Sequence, residues 1–330
     1  MITARGLART FTTRKGPVEA VRGVDLDIGE REIVGFLGPN GAGKTTTLRM
    51  LCTLLAPTAG EATVAGCDLR GDPVGVRRRI GYVAQSGSTA PEATIGEELV
   101  DHALLYGIPR RDAQRHGREL IEQLDLAGLW ERQTKALSGG QRRRLDVAMG
   151  LINGAKLIFL DEPTTGLDPQ ARANLWQHVR ALRSSHGSTV FLTTHYLDEA
   201  DALCDRILII DHGEIVAGGT PEDLKRRVSG DLITLTLLDA GQAVDATRLA
   251  AAAARATGSG SAGAAGTDQP ETDGAVVRLR VESGAQTLPA LMRDLDAGGI
   301  TLAGVEVRRP SLDDVFLTLT GRTLREEPAA

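Results

Sequence analysis

The chain is predicted to fold as an α/β protein on a parallel sheet, followed by a small α+β domain. Three observations carry that expectation. A glycine-rich turn, Gly38–Thr45, joins the apolar run Ile33–Leu37 to the start of a helix. Short apolar runs at Ile80–Val83, Leu157–Asp161 and Thr189–Thr193 follow, separated by helical stretches, as parallel strands with crossovers require. Beyond residue 228 the order changes to strands at Gly230–Leu238, Ala275–Val281 and Ile300–Val307, with a helix at Leu288–Ala297. At 330 residues there is room for two domains, expected at 1–228 and 229–330.

The first stretch, Met1–Ile28, reads as two strands around a turn at Arg14–Pro17, the second supported by alternation over Val21–Ile28. Phe11 in the first strand is either a core aromatic, the commoner fate of Phe, or a platform for a nucleobase. The organising stretch is Gly38-Pro39-Asn40-Gly41-Ala42-Gly43-Lys44-Thr45-Thr46, which fits G-x-x-x-x-G-K-S/T. Glycines let such a loop turn its N–H groups inward onto an anion, and the positive end of the following helix faces the same point. Lys44 is expected to reach the β- and γ-phosphates and Thr45 to ligate Mg²⁺.

The later elements place polar residues where the strands end. Gln85 lies just past Ile80–Val83. Helices are expected over Thr94–Tyr106, with Thr94 and Glu97 as a capping box, and over Arg110–Leu124. Leu137-Ser138-Gly139-Gly140-Gln141 opens another helix, Gln141–Leu151, with Ser138 as its N-cap. It is a second anion-binding helix start. Since one nucleotide needs one phosphate cradle, a second points to a nucleotide held by another copy and thus to a dimer with ATP at the seam. Leu157–Asp161 is an apolar strand that ends in Asp161-Glu162. Asp161 is placed to hold Mg²⁺, and Glu162 to polarise a water for attack on the γ-phosphate. Asp168 lies in the loop before the helix Pro169–Ser184. His195 ends the strand Thr189–Thr193 and could bond the γ-phosphate. A short helix at Leu197–Cys204 and a hairpin of Arg206–Asp211 with Glu214–Gly218 complete this part.

Composition bounds the rest. Hydrophobic residues make up 42 %, enough for a sizeable core, and the net charge of -5 gives no basis for general nucleic-acid binding. Cys52, Cys67 and Cys204 are scattered without a C-x-x-C pair and read as reduced thiols. No basic start followed by an apolar core marks a signal peptide. The longest apolar runs fall far below the ~18 residues of a membrane helix. The chain is therefore expected to be soluble, so that work at a membrane needs another chain to supply the spans. The segment 256–274, rich in Ala, Gly and Ser, reads as a flexible insert. Pro310–Gly321 holds a capped helix, with Ser311 and Asp314 as an S-x-x-D box.

Gly38–Thr45, Gln85, Leu137–Gln141, Leu157–Glu162, Asp168 and His195, in that order, resemble the ATP-binding cassette (ABC) ATPases over residues 1–228. The resemblance implies a P-loop NTPase fold of a parallel-sheet core, an antiparallel β-subdomain and a helical signature subdomain. It implies that two cassettes close head to tail on two ATPs with Mg²⁺. By the same resemblance Phe11 stacks on adenine, which reverses its reading as core, and Gly38–Thr46 is the Walker A. Gln85 is the Q-loop glutamine that senses Mg²⁺, water and the transporter. Ser138, Gly139 and Gly140, with the adjoining Gln141, meet the partner's nucleotide. Asp161 is the Walker B aspartate, Glu162 the general base, Asp168 part of the D-loop and His195 the switch histidine. The ending Pro310-Ser-Leu-Asp-Asp-Val-Phe316 looks like the daunorubicin-resistance branch, which exports drugs, other hydrophobic compounds or lipids through a separate permease. The expected location is the cytoplasmic face of the cell membrane.

The sequence also bears on two rival readings. A soluble ABC protein on ribosomes or nucleic acid would ordinarily show two cassettes or a coiled-coil insertion, and sustained heptads are absent. A GTPase would show N/T-K-x-D, but Thr134-Lys135 is followed by Ala-Leu. Import instead of export is opposed only by the C-terminal ending.

Overall fold

The chain opens with β1 (Ile2–Thr13) and β2 (Gly16–Ile28), an antiparallel hairpin about Arg14-Lys15. Val24, Leu26 and Ile28 are buried while Asp25 and Asp27 between them are exposed, the alternation of a sheet with one wet face. The computed structural model describes residues 1–87, 89–227, 230–256 and 270–321. Within them the chain divides into a unit spanning Met1–Pro221 and another beginning at Glu222.

In the first unit β3 (Ile33–Leu37) is buried along its whole length and feeds the glycine-rich loop, after which α1 runs over Lys44–Leu51. Next come β4 (Ala59–Val64), β5 (Cys67–Asp68), α2 (Pro73–Arg79) and β6 (Ile80–Val83). Then α3 (Ile95–Leu105), α4 (Arg110–Gln123) and α5 (Gly139–Leu151) follow in series. The Thr94–Glu97 capping box starts α3 as predicted. Strands and helices then alternate through β7 (Leu157–Asp161), α6 (Pro169–His186), β8 (Thr189–Thr194) and α7 (Leu197–Leu203). The unit ends in the hairpin of β9 (Arg206–Asp211) and β10 (Glu214–Gly219).

Two sheets result. One is antiparallel, ordered β2-β1-β4-β5; the other is six-stranded, ordered β10-β9-β3-β8-β7-β6, and parallel except for β10. The parallel strands are buried along most of their length and mainly apolar at their centres, as expected for a sheet covered on both faces. Phe191 sits at their centre, fully buried, with ring centroids 5.5 Å from Phe36 and 5.8 Å from Phe159. None of the described helices is long and apolar enough to cross a membrane.

Past α8 (Pro221–Arg227), the second unit runs β11 (Asp231–Leu237), α9 (Ala243–Ala256), β12 (Glu271–Asp273), β13 (Val276–Val281), α10 (Gly284–Ala297), β14 (Leu302–Arg308) and α11 (Leu312–Thr320). Its antiparallel sheet is ordered β12-β13-β11-β14, so the path β-α-β-β-α-β has the ferredoxin-like arrangement. Ile233, Leu235, Val277 and Leu279 pack with Ala246, Ala250 and Leu291 in one core. The small Ala side chains let α9 approach the sheet closely.

Two expectations change here. Residues 257–269 of the expected flexible insert lie outside the described residues, but Glu271–Asp273 are a strand paired with Val276–Arg278, because Gly274 at φ 58 closes a tight turn. The helix expected at Leu288–Ala297 begins already at Gly284, whose N–H donates to Asp231 at 2.7 Å from across the unit. The Ser311–Asp314 capping box of α11 forms as predicted.

Replacing Phe191 by Ala leaves a cavity between the rings of Phe36 and Phe159, and a loss of about 3–5 kcal/mol is expected, read as a lowered urea midpoint with an unchanged slope. An unaltered midpoint would show that the centre of the sheet collapses freely around the missing ring.

Candidate active site

Strand register brings the polar ends together. Leu37 of β3 is opposite Thr194 of β8, and Asp161 of β7 is opposite Thr193. The strands therefore finish at one level, at the carboxyl edge of the sheet where ligands of open α/β folds bind. The glycine-rich loop rises from this edge. A Cβ on Gly38 would collide with the Ile210 carbonyl, and Gly43 sits at φ 106 with the Ala20 carbonyl 2.6 Å from where a Cβ would lie. Ala42 N–H donates to Pro39 O at 3.2 Å, so Pro39–Ala42 form a tight turn, and Asn40 and Gly41 are its tip. Gly43 caps α1, which carries Lys44, Thr45 and Thr46 in its first turn.

Lys44 folds back over the loop. Its ammonium donates to Gly38 O at 2.7 Å and Pro39 O at 3.1 Å and stands 3.7 Å from Glu162 Oε1. It is 4 % exposed, and burial presses its pKa below the ordinary lysine value against the opposing pull of Glu162 and Asp161. An anionic group arriving at the loop would relieve that desolvation.

The two carboxylates have separate surroundings. Asp161 is fully buried and Oδ1 accepts from Thr45 Oγ1 at 3.1 Å and Thr193 Oγ1 at 2.7 Å. Its Oδ2 is buried with no hydrogen-bond partner. Glu162 is held at φ 44, a left-handed conformation that costs a non-glycine residue on the order of 1–3 kcal/mol. Its N–H bonds to Thr193 O and Oγ1 at 3.1 and 3.0 Å, which fixes the strained turn. Its Oε2 accepts from Gln85 Nε2 at 2.9 Å and Thr165 Oγ1 at 3.2 Å, with His195 Nδ1 at 3.3 Å. Burial alone would raise the Glu162 pKa, but His195, Lys44 and Thr165 outweigh it and hold the carboxyl below the usual range. Lys44, Thr45, Gln85, Asp161, Glu162 and His195 thus form one cluster.

The other expected residues stand apart from that hydrogen-bonded cluster. Ser138 caps α5, and Gln141 returns the bond to the Ser138 N–H, so the Gln141 side chain is engaged within its own helix. Asp168 likewise caps α6 through Ala171 N–H at 2.8 Å. The two helix starts meet where a Cβ on Gly140 would lie 3.1 Å from Ala171 Cβ, so Gly140 permits a close approach. Phe11 is half-buried and absent from the core, with the Arg9 guanidinium 4.7 Å from its ring centre.

Sequence reasoning passed over Arg143, which is 7 % exposed. From α5 it donates to Ala84 O at 2.6 Å, Pro163 O at 2.7 Å and Asp161 O at 3.2 Å, and pairs with Asp146 at 3.6 Å. It joins the helix starting at Ser138 to the strand ends beside Gln85 and Asp161. Thr193 and Thr165, which hold the two carboxylates, were also passed over. Hydroxyls flanking a strand end carry little signal without the register that brings them in.

The chain is similar to known ATP-binding proteins over nearly its whole length. The ABC transporter family profile matches residues 21–165, and that of the ATP-binding protein DrrA1-3-like, C-terminal domain matches 219–320. The daunorubicin resistance ATP-binding protein DrrA3 of Streptomyces coeruleorubidus is 41 % identical, over 96 % of each chain. The linearmycin resistance ATP-binding protein LnrL of Bacillus subtilis (strain 168) is 32 % identical over 99 % of this chain and 100 % of its own. Among solved structures, the dimeric post-hydrolysis state of the ATP-binding cassette MJ0796 bound to ADP and Pi superposes with a TM-score of 0.61. It is 26 % identical and covers 67 % of this chain and 98 % of its own.

Arg143→Lys keeps a charge but loses the planar fork that serves several carbonyls at once. The variant is expected to lose about 2–4 kcal/mol, because buried carbonyls are left without donors. A thermal or urea midpoint equal to the parent's would show that these bonds do not hold α5 to the sheet.

Proposed function

The chain belongs to the ABC transporter family of ATP-binding proteins, in its daunorubicin-resistance branch, and on that basis we propose how it works. It is an ATP-hydrolysing subunit that powers efflux of a drug-like, hydrophobic or lipid substrate through a separately encoded permease. Residues 1–228 are the cassette and 229–330 an accessory domain. The observation that carries the reading is the cluster of Lys44, Thr45, Asp161 and Glu162 at the carboxyl edge of the parallel sheet.

Each residue in the cluster has a role consistent with its surroundings. The loop Gly38–Thr46 cradles the phosphates, with the Lys44 ammonium on the β- and γ-phosphates. Phe11, free of the core, stacks on adenine. Thr45 and Asp161 would hold Mg²⁺, together with Gln85. The unpartnered Asp161 Oδ2 next to a hydroxyl is the oxygen donor set a hard divalent ion prefers. When bound, that ion neutralises charge on the β- and γ-phosphates. Glu162 accepts the proton of the attacking water, since its carboxyl is held in the ionised form. His195 and Gln85 orient the carboxylate and the water from either side.

The helix start at Ser138–Gln141 and the cap residue Asp168 serve the nucleotide of a second copy, so the working unit is a homodimer closed on two ATPs. The dimeric MJ0796 cassette supports this arrangement. The resistance relatives support a membrane permease as partner and placement at the cytoplasmic face of the membrane. These relatives do not favour an importer or a soluble cassette acting on ribosomes or nucleic acid.

Glu162→Gln is expected to bind ATP with near-parent affinity while turnover falls at least about 100-fold, the usual consequence of removing a general base. Lys44→Ala is expected to weaken nucleotide binding itself. Parent-like hydrolysis by E162Q, measured as phosphate release, would remove Glu162 from its role.

A further inference from the structure

A second buried carboxylate lies behind the cluster and is not used by the mechanism above. Glu199 of α7 is completely buried. Its Oε1 accepts from Trp176 Nε1 of α6 at 3.0 Å. The hydroxyls of Thr164 and Thr194 face the same carboxyl, yet neither Glu199 Oε2 nor Thr164 Oγ1 has a partner within hydrogen-bond geometry. Thr164 is two residues beyond Glu162, and Thr194 is immediately before His195. Glu199 therefore stands between the two chain segments that set the 3.3 Å approach of Glu162 to His195. The same helices are joined at the rim, where Arg172 reaches Asp198 at 3.4 Å and lies 4.3 Å from the centre of the Tyr196 ring. That ring in turn lies 4.2 Å from His195.

We propose that Glu199 is a positioning residue for hydrolysis, holding the Glu162 and His195 segments in register through Thr164, Thr194 and Trp176. The inference rests on the roles given above to Glu162 and His195. Burial raises the Glu199 pKa and so favours the protonated form, which can accept from the indole and donate to one threonine hydroxyl. A buried polar pair just outside bonding geometry is a contact that closes when the site tightens around its ligand, as catalytic hydrogen bonds of ligand-free enzymes do. A misplacement on the order of 1 Å between base and water lowers turnover about 100-fold without weakening binding.

The test is steady-state ATP turnover and direct ATP binding by the full chain, with E162Q as the inactive standard. Glu199→Ala is expected to lower kcat by about 10- to 100-fold with KM and ATP affinity within about 2-fold of the parent, a loss confined to the transition state. Glu199→Gln, whose amide also accepts from the indole and donates to a hydroxyl, is expected to restore kcat to within about 3-fold of the parent. Trp176→Phe removes a single donor and is expected to give a smaller kcat defect; it takes the place of E199A if that variant does not fold. Parent-like kcat in E199A or W176F, with E162Q inactive, overturns the inference and leaves Glu162 as the base. Failure of E199Q to recover turnover overturns it too, since the neutral hydrogen-bonding role would then be wrong.

Discussion

Asp161 and Glu162 put two carboxylates side by side at the buried end of β7, within reach of one ammonium, that of Lys44. Like charges so placed repel each other in a poorly hydrated site. The fold meets this by giving each its own donors. Thr45 and Thr193 hold Asp161, while Gln85, Thr165 and His195 gather around Glu162. Glu162 sits in a left-handed turn that the Thr193 contacts hold. One buried oxygen, Asp161 Oδ2, is left without a hydrogen-bond partner.

The parallel sheet makes that arrangement possible. Five strands aligned in one direction bring loops distant in sequence to a common edge. Arg143 carries the edge's geometry into α5, because it bonds carbonyls on the β6 and β7 exits from near the helix end that Ser138 caps. The start of this helix, proposed above to serve a second copy's nucleotide, is thereby tied to the backbone beside Gln85 and Asp161.

Much of this was legible in the chain. The glycine loop, the strand ends at Gln85, Asp161 and His195, and the Thr94 and Ser311 capping boxes are local patterns, and local physics settles them. Phe11 shows the limit of such reading. Burial statistics favour a core position for a Phe, while the structure leaves it half-buried under Arg9, and only resemblance pointed that way. Arg143, Thr193 and Glu199 were illegible because each depends on a partner 18 or more residues away, brought in by register and helix packing. The early start of α10 depended on Asp231 in the same way. The β12–β13 hairpin was masked by composition, since a run of small residues hides the turn pair at Gly274.

The account assigns adjacent carboxylates to different tasks, Asp161 to the metal and Glu162 to the water. ATP affinity measured with and without Mg²⁺ in D161N and E162Q separates them most directly. The assignment predicts that E162Q keeps the parent's Mg²⁺ enhancement of ATP binding, while D161N loses most of it. Equal dependence on Mg²⁺ in the two variants, or its loss in E162Q alone, would contradict the division of roles on which the mechanism stands.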